Sequence, residues 1–117
     1  MKKVNLTTAH QRLTANFEEN ATTAALLAQM PLTLPMRNLY TRELTYRFPH
    51  ALPANEAHTS GYVVGDIAYW TPRHSFVIFY RQTGEVISDL QKVGHINSGD
   101  FKQFRTAGTV EMTFEQD

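Results

Sequence analysis

The polar residues that could do chemistry in this chain are few, and most of them sit beside apolar or aromatic runs. Glu43, Thr45 and Arg47 alternate with Leu44, Tyr46 and Phe48, so on a strand a carboxylate and a guanidinium share one face and three apolar side chains share the other. Such a pair can hold a polar ligand, and it can equally be an ordinary solvated ion pair. Asp66 follows Gly65 inside an apolar stretch, where an ionised carboxylate must be paired or turned outward. A turn answers that need without any catalysis: Gly65 supplies the unusual backbone angle and Asp66 caps a neighbouring N–H.

Other chemistries lack their residues. The five histidines, at 10, 50, 58, 74 and 95, show neither the strand spacing nor the helical spacing that aims two imidazoles at one ion, so no metal site is expected. His95, between Gly94 and Ile96, is the most closely held of them. The absence of cysteine excludes disulfides, thiolate metal ligands and a Cys nucleophile, and fits a cytoplasmic protein. No Gly-x-Ser-x-Gly elbow occurs, and no glycine-rich phosphate cradle, so neither a serine hydrolase nor a nucleotide cofactor is expected.

Nearly half of the aromatic side chains fall between Gly61 and Tyr80: Tyr62, Tyr69, Trp70, Phe76, Phe79 and Tyr80. Two strands joined by the turn-forming Thr71-Pro72-Arg73-His74 would form a hairpin there, apolar enough to be buried on both faces over part of its length. Alternation forces Tyr69 and Trp70 to opposite faces, and likewise Phe79 and Tyr80, so one of each pair leaves the main core and lines a groove or contact. The expected cleft is bordered by Glu43, Arg47, Asp66, Tyr69 and Tyr80, with Phe48, Phe76 and Phe79 as candidate pocket walls.

The elements that would position these residues read mainly as short strands: Lys3 to Thr7, Arg12 to Phe17, Leu32 to Met36, Glu43 to Phe48, Val86 to Leu90 and Thr109 to Glu115. Pro35 suggests that its strand lies at a sheet edge. Asn20 is suited to cap a helix over Ala21 to Met30, ended by Pro31, with Ala21, Ala24, Leu27 and Ala28 on one face and Leu26 and Met30 beside them. Residues Pro49 to Ser60 read as a surface loop and Val93 to Ile96 as a turn, and the segment to Gly99 runs into a helical turn at Asp100 to Phe104.

At 117 residues, 42% hydrophobic and 19% charged, residues 1–117 fit one globular domain. Eleven basic and eleven acidic residues give zero net charge, which offers no field for nucleic acid or an anionic membrane. No apolar run approaches the roughly 20 residues of a membrane span.

Taken in order, Phe17-Glu18-Glu19-Asn20 before the Ala21 helix, Arg42-Glu43, Gly65-Asp66-Ile67 with Tyr69-Trp70, Phe76 to Tyr80, Val93-Gly94-x-Ile96 and the closing strand resemble the small bacterial cyclophilin-like proteins. The resemblance implies a mainly β fold, a closed eight-stranded barrel with one or two short capping helices. Most members of that family lack an established activity, and the cleft read above makes a binding module for a peptide or small molecule, with no established catalysis, the expected function. True cyclophilins are peptidyl-prolyl isomerases whose key arginine lies outside an early barrel strand, and Arg47 stands where the resemblance would put it. The surrounding Thr45-Tyr46-Arg47 departs from the Phe-His-Arg triplet of the isomerases, which makes a weak isomerase the alternative reading.

Overall fold

The computed structural model describes residues 1–99 and 101–117, together with the backbone but not the side chain of Ser98. Among the described residues nine strands form one antiparallel sheet: β1 Lys2–Thr7, β2 Arg12–Phe17, β3 Leu32–Leu39, β4 Glu43–Arg47, β5 His58–Ser60, β6 Asp66–Trp70, β7 Ser75–Phe79, β8 Ile87–Ser98 and β9 Thr109–Gln116. Their order is β2-β1-β9-β3-β4-β7-β6-β8-β5, and β2 pairs with β8. That last pairing closes eight strands into a barrel and leaves β5 as an extra strand outside it, joined, among the described residues, only to β8. The mainly β, eight-stranded closed barrel expected from the sequence is the fold observed.

Alternation fills the barrel. Val4 and Leu6, Leu13, Ala15 and Phe17, Leu34 and Met36, Ile67 and Tyr69, Phe76 and Ile78, Met112 and Phe114 are buried and belong to one apolar cluster, as period-2 side chains facing a common interior must. β7 is buried at every position, because its other face meets a second, smaller cluster of Tyr62, Ala68, Val77, Phe79 and Leu90 on the outer wall. The double burial expected of the aromatic hairpin is thus present. Its strands begin later than the apolar run does, at Asp66 rather than Gly61. A 3-10 turn, Thr71–Arg73, joins them, with His74 left-handed at φ 51°.

Closure depends on Gly94. It pairs with Phe17 across the β2–β8 seam, and a Cβ there would lie 2.5 Å from the carbonyl oxygen of Asn16. Glycine therefore serves close backbone approach at this point, not the turn read from Val93 to Ile96. Instead of a short strand followed by a turn, residues 87–98 run as one strand. Asp89, with φ 56°, and the register shift opposite Ile67 and Ala68 let it bend around the barrel.

Three other expectations change. The helix α1 is Ala21–Leu27, capped by Asn20, whose side chain accepts from the Thr23 N–H at 2.9 Å. It stops short of Pro31 because Gln29 and Met30 already bond back three residues, to Leu26 and Leu27. Its buried side is Thr22, Thr23 and Leu26, rather than the alanine stripe. The Thr22 hydroxyl can be buried because it donates to the Pro53 carbonyl. β3 lies between β9 and β4 rather than at an edge, yet Pro35 is tolerated because β4 pairs only with Arg37 to Leu39. The loop after Pro49 contains β5. Phe101–Phe104 forms a 3-10 turn; Asp100, at the start of the expected one, lies outside the described residues.

Candidate functional site

β4 turns Leu44, Tyr46 and Phe48 toward the interior cluster, so Glu43, Thr45 and Arg47 project from the outer wall. There they meet the outward residues of β7, for Glu43 pairs with Phe79, Thr45 with Val77 and Arg47 with Ser75. These six side chains floor a groove of about 510 Å³. Leu39, Tyr40 and Arg42 line one flank, and Trp70, Leu90 and the segment Glu85 to Ser88 line the other.

The flanks are fixed by local structure. Tyr40 and Thr41 both have positive φ, 59° and 49°, and the Arg42 N–H donates to the Leu39 carbonyl at 3.1 Å. This is the backbone of a tight hairpin turn that normally takes Asn-Gly. Holding a β-branched threonine there costs of order 1–3 kcal/mol. The turn leaves Tyr40 exposed with the Arg42 guanidinium 5.0 Å from its ring centre. On the other flank the Trp70 indole N–H donates to the Ser88 carbonyl at 3.0 Å, and Tyr62 stacks on Phe79 at 4.0 Å between ring centres.

Glu43 is the group that distinguishes this wall. It is only 5% exposed, and its two oxygens are held by neighbours. Arg42 Nε donates to Oε1 at 2.7 Å and Arg42 Nη2 bonds the same oxygen, while the Thr45 hydroxyl donates to Oε2 at 2.6 Å. Arg42 also reaches Glu85, Nη1 to Oε2, at 2.9 Å. Burial disfavours the Arg42 cation, but its bonds to Glu43 and the charges of Glu43 and Glu85 outweigh that and raise its pKa. The Glu85 carboxyl is held below its usual range by the Thr83 hydroxyl and by Arg42. Arg47, exposed at the other end of the floor, has no hydrogen-bond or ion-pair partner for its side chain among the described residues.

The expected cleft residues are divided between three places. Glu43, Arg47 and Phe79 share the groove. Phe48, Tyr69, Phe76 and Tyr80 belong to the interior, so the alternation in Tyr69-Trp70 and Phe79-Tyr80 is as expected while the outward members are Trp70 and Phe79. Tyr69 and Tyr80 are spared the cost of a buried hydroxyl by accepting from the Leu52 N–H at 2.9 Å and donating to Asn38 Oδ1 at 2.5 Å. Burial, ahead of any charge, raises the Tyr80 pKa.

Asp66 lies away from the groove as a turn cap. Gly65 has φ 97°, and Asp66 Oδ2 accepts from the Val63 N–H at 3.0 Å and from Lys92 at 2.8 Å. Its Oδ1 lies 2.9 Å from His95 Nδ1. Burial works against this carboxylate, yet Lys92, the Val63 N–H and His95 together hold its pKa below the usual value. Sequence reading alone did not single out Tyr40, Thr45 or Glu85 as site residues. Thr45 was accessible to it, two positions from both Glu43 and Arg47, whereas Glu85 comes from a distant segment with no periodicity to follow.

The sequence profile of the cyclophilin-like family matches residues 6–115. The chain belongs to the cyclophilin-like family. Among solved structures, a hypothetical protein from Archaeoglobus fulgidus, determined in solution, is similar over 99% of this chain and 95% of its own length, with a TM-score of 0.77 and 17% identity. At that identity the likeness is one of fold. No curated protein matches the chain. Among the described residues no helix is long and apolar enough to cross a membrane.

Proposed function

We propose that this cyclophilin-like protein is a binding module whose outer-wall groove takes a short peptide or small molecule, without catalysis of its own. The observation that carries this reading is Glu43, a carboxylate buried to 5% exposure on the floor of a groove. Burying an ion pair stabilises a fold little or not at all against an apolar alternative, and the barrel interior behind Glu43 is already filled by apolar side chains. A charge kept at such cost in a concave, mostly apolar lining is the arrangement by which small-ligand sites fix orientation. The volume, about 510 Å³, lies within the range of such sites. The cysteine-free composition supports a cytoplasmic setting.

The test is a titration of isotope-labelled protein with a mixed set of peptides and drug-fragment-sized compounds, read by amide chemical shifts. Ligands are expected to perturb Thr45, Val77 and Phe79 together. Glu43→Gln should weaken those ligands about tenfold, in keeping with the loss of a charge-assisted bond, while unfolding still occurs in one cooperative step. If no compound in the set moves the groove amides at millimolar concentration, the proposal is wrong.

A weak prolyl isomerase is the second reading, favoured by Arg47, which is unpartnered among the described residues, on the outer face of an early barrel strand. Against it, Phe48 and Phe76 are buried in the interior. Phe79 lies four residue pairs along the strands from Arg47, roughly 13 Å at the usual strand rise. A protease-coupled cis/trans assay decides: acceleration that Arg47→Ala abolishes would establish the isomerase, and no acceleration across varied X-Pro peptides removes it.

A further inference from the structure

The charges lining the groove are unevenly divided. At one end a single cation, Arg42, is shared by two carboxylates, Glu43 and Glu85, which leaves that end one charge negative. At the other end Arg47 stands without a partner among the described residues. Both Glu43 and Arg47 rise from the same face of β4, four positions apart, about 13 Å along the strand. The other residues lining the groove carry no charge.

Between the two ends the hydrogen-bonding character is one-sided. The Thr45 hydroxyl donates to Glu43, the Ser75 hydroxyl donates to the Arg73 carbonyl at 3.2 Å, and the Trp70 N–H is taken by Ser88. With their protons committed, Thr45 and Ser75 offer only lone pairs to the groove. Around them, the apolar lining residues that reach the surface of the groove include Leu39, Trp70, Val86 and Ile87.

On the binding-module reading, we infer that the occupant is a short extended peptide with both termini free, its ammonium group toward Glu43 and Glu85 and its carboxylate on Arg47. Its backbone N–H groups meet the Thr45 and Ser75 oxygens, and its apolar side chains rest on Trp70, Val86 and Ile87. An extended chain advances at most about 3.3–3.6 Å per residue, so the span between the two charged ends corresponds to roughly four residues. A dianion would be repelled at the Glu43 end and a polycation at Arg47, whereas a zwitterion of this length meets both.

The test is calorimetric titration with a tetrapeptide of alanine and leucine in four forms: free, N-acetylated, C-amidated and blocked at both ends. The free form is expected to bind best, and each block to weaken binding about tenfold, the worth of one charge-assisted hydrogen bond. Arg47→Ala should erase the difference between free and amidated peptide while keeping that between free and acetylated. Glu85→Gln, at an exposed position, should do the reverse. Blocked forms that bind as tightly as the free one overturn the inference, as do variants that weaken all four forms equally. If fragments occupy the groove but no free tetrapeptide outbinds its doubly blocked form, the zwitterion is wrong and the binding module stands; if nothing occupies it, both fall.

Discussion

Asp66 illustrates how a single residue can look catalytic in a sequence and prove structural in its contacts. Three donors converge on it, from Lys92, the Val63 backbone and His95, and they favour its charged form. Its pKa is depressed on folding from the ordinary 3.8, so the folded state binds its proton less readily than the unfolded state does. The stability it contributes is complete above the unfolded value and is lost as pH falls through the lower folded one. Unfolding free energy measured by urea titration from about pH 5 down to about pH 2 should therefore fall less steeply in Asp66→Asn than in the native protein. Equal slopes would mean that the three donors do not distinguish charged from neutral Asp66. Glu43 presents the opposite case, since alternation placed it correctly on the outer face of β4. What it could not supply was Glu85, which reaches the same arginine from the far flank.

At the scale of elements, the strands were legible wherever polar and apolar residues alternate, because a half-buried strand must repeat every two residues. β1, β2, β4 and β9 lie within a residue or so of their expected bounds. Where the outer wall is also covered, alternation vanishes and only apolarity remains. That is why the Gly61 to Tyr80 run announced a doubly buried hairpin but not which of its aromatics would face out. β8 was missed as one strand because Gly94 reads locally as a turn, and its purpose shows only when β2 lies against it. Gly94→Ala should accordingly cost about 1–3 kcal/mol, the usual penalty for forcing an extra methyl into a packed site, since its Cβ would meet the Asn16 carbonyl oxygen at 2.5 Å. Chemical denaturation measures this directly. A variant as stable as the native protein would show that the seam can yield.

For the molecule as a whole, closure of the barrel creates unequal protection. β6 and β7 are paired along both edges, whereas β5 is a three-residue strand held by β8 alone. Amide hydrogen exchange in β5 should run about a hundredfold or more faster than in β6 and β7, because opening β5 leaves the barrel intact while opening the others requires breaking it. Similar rates in all three would place β5 within the cooperative unit.

The long strand β8 has a consequence for how such a protein can diversify. Its first part, Ile87 to Leu90, forms the groove wall and holds β5, and its later part, from Gly94 to Ser98, makes the seam with β2. The left-handed residue Asp89 falls in the first part, before the seam begins. Mutations that reshape the wall thus fall on residues that the seam with β2 does not use, and mutations that threaten this seam fall on residues that do not line the groove. A lineage built on this barrel can remodel its groove while the seam with β2 is inherited unchanged.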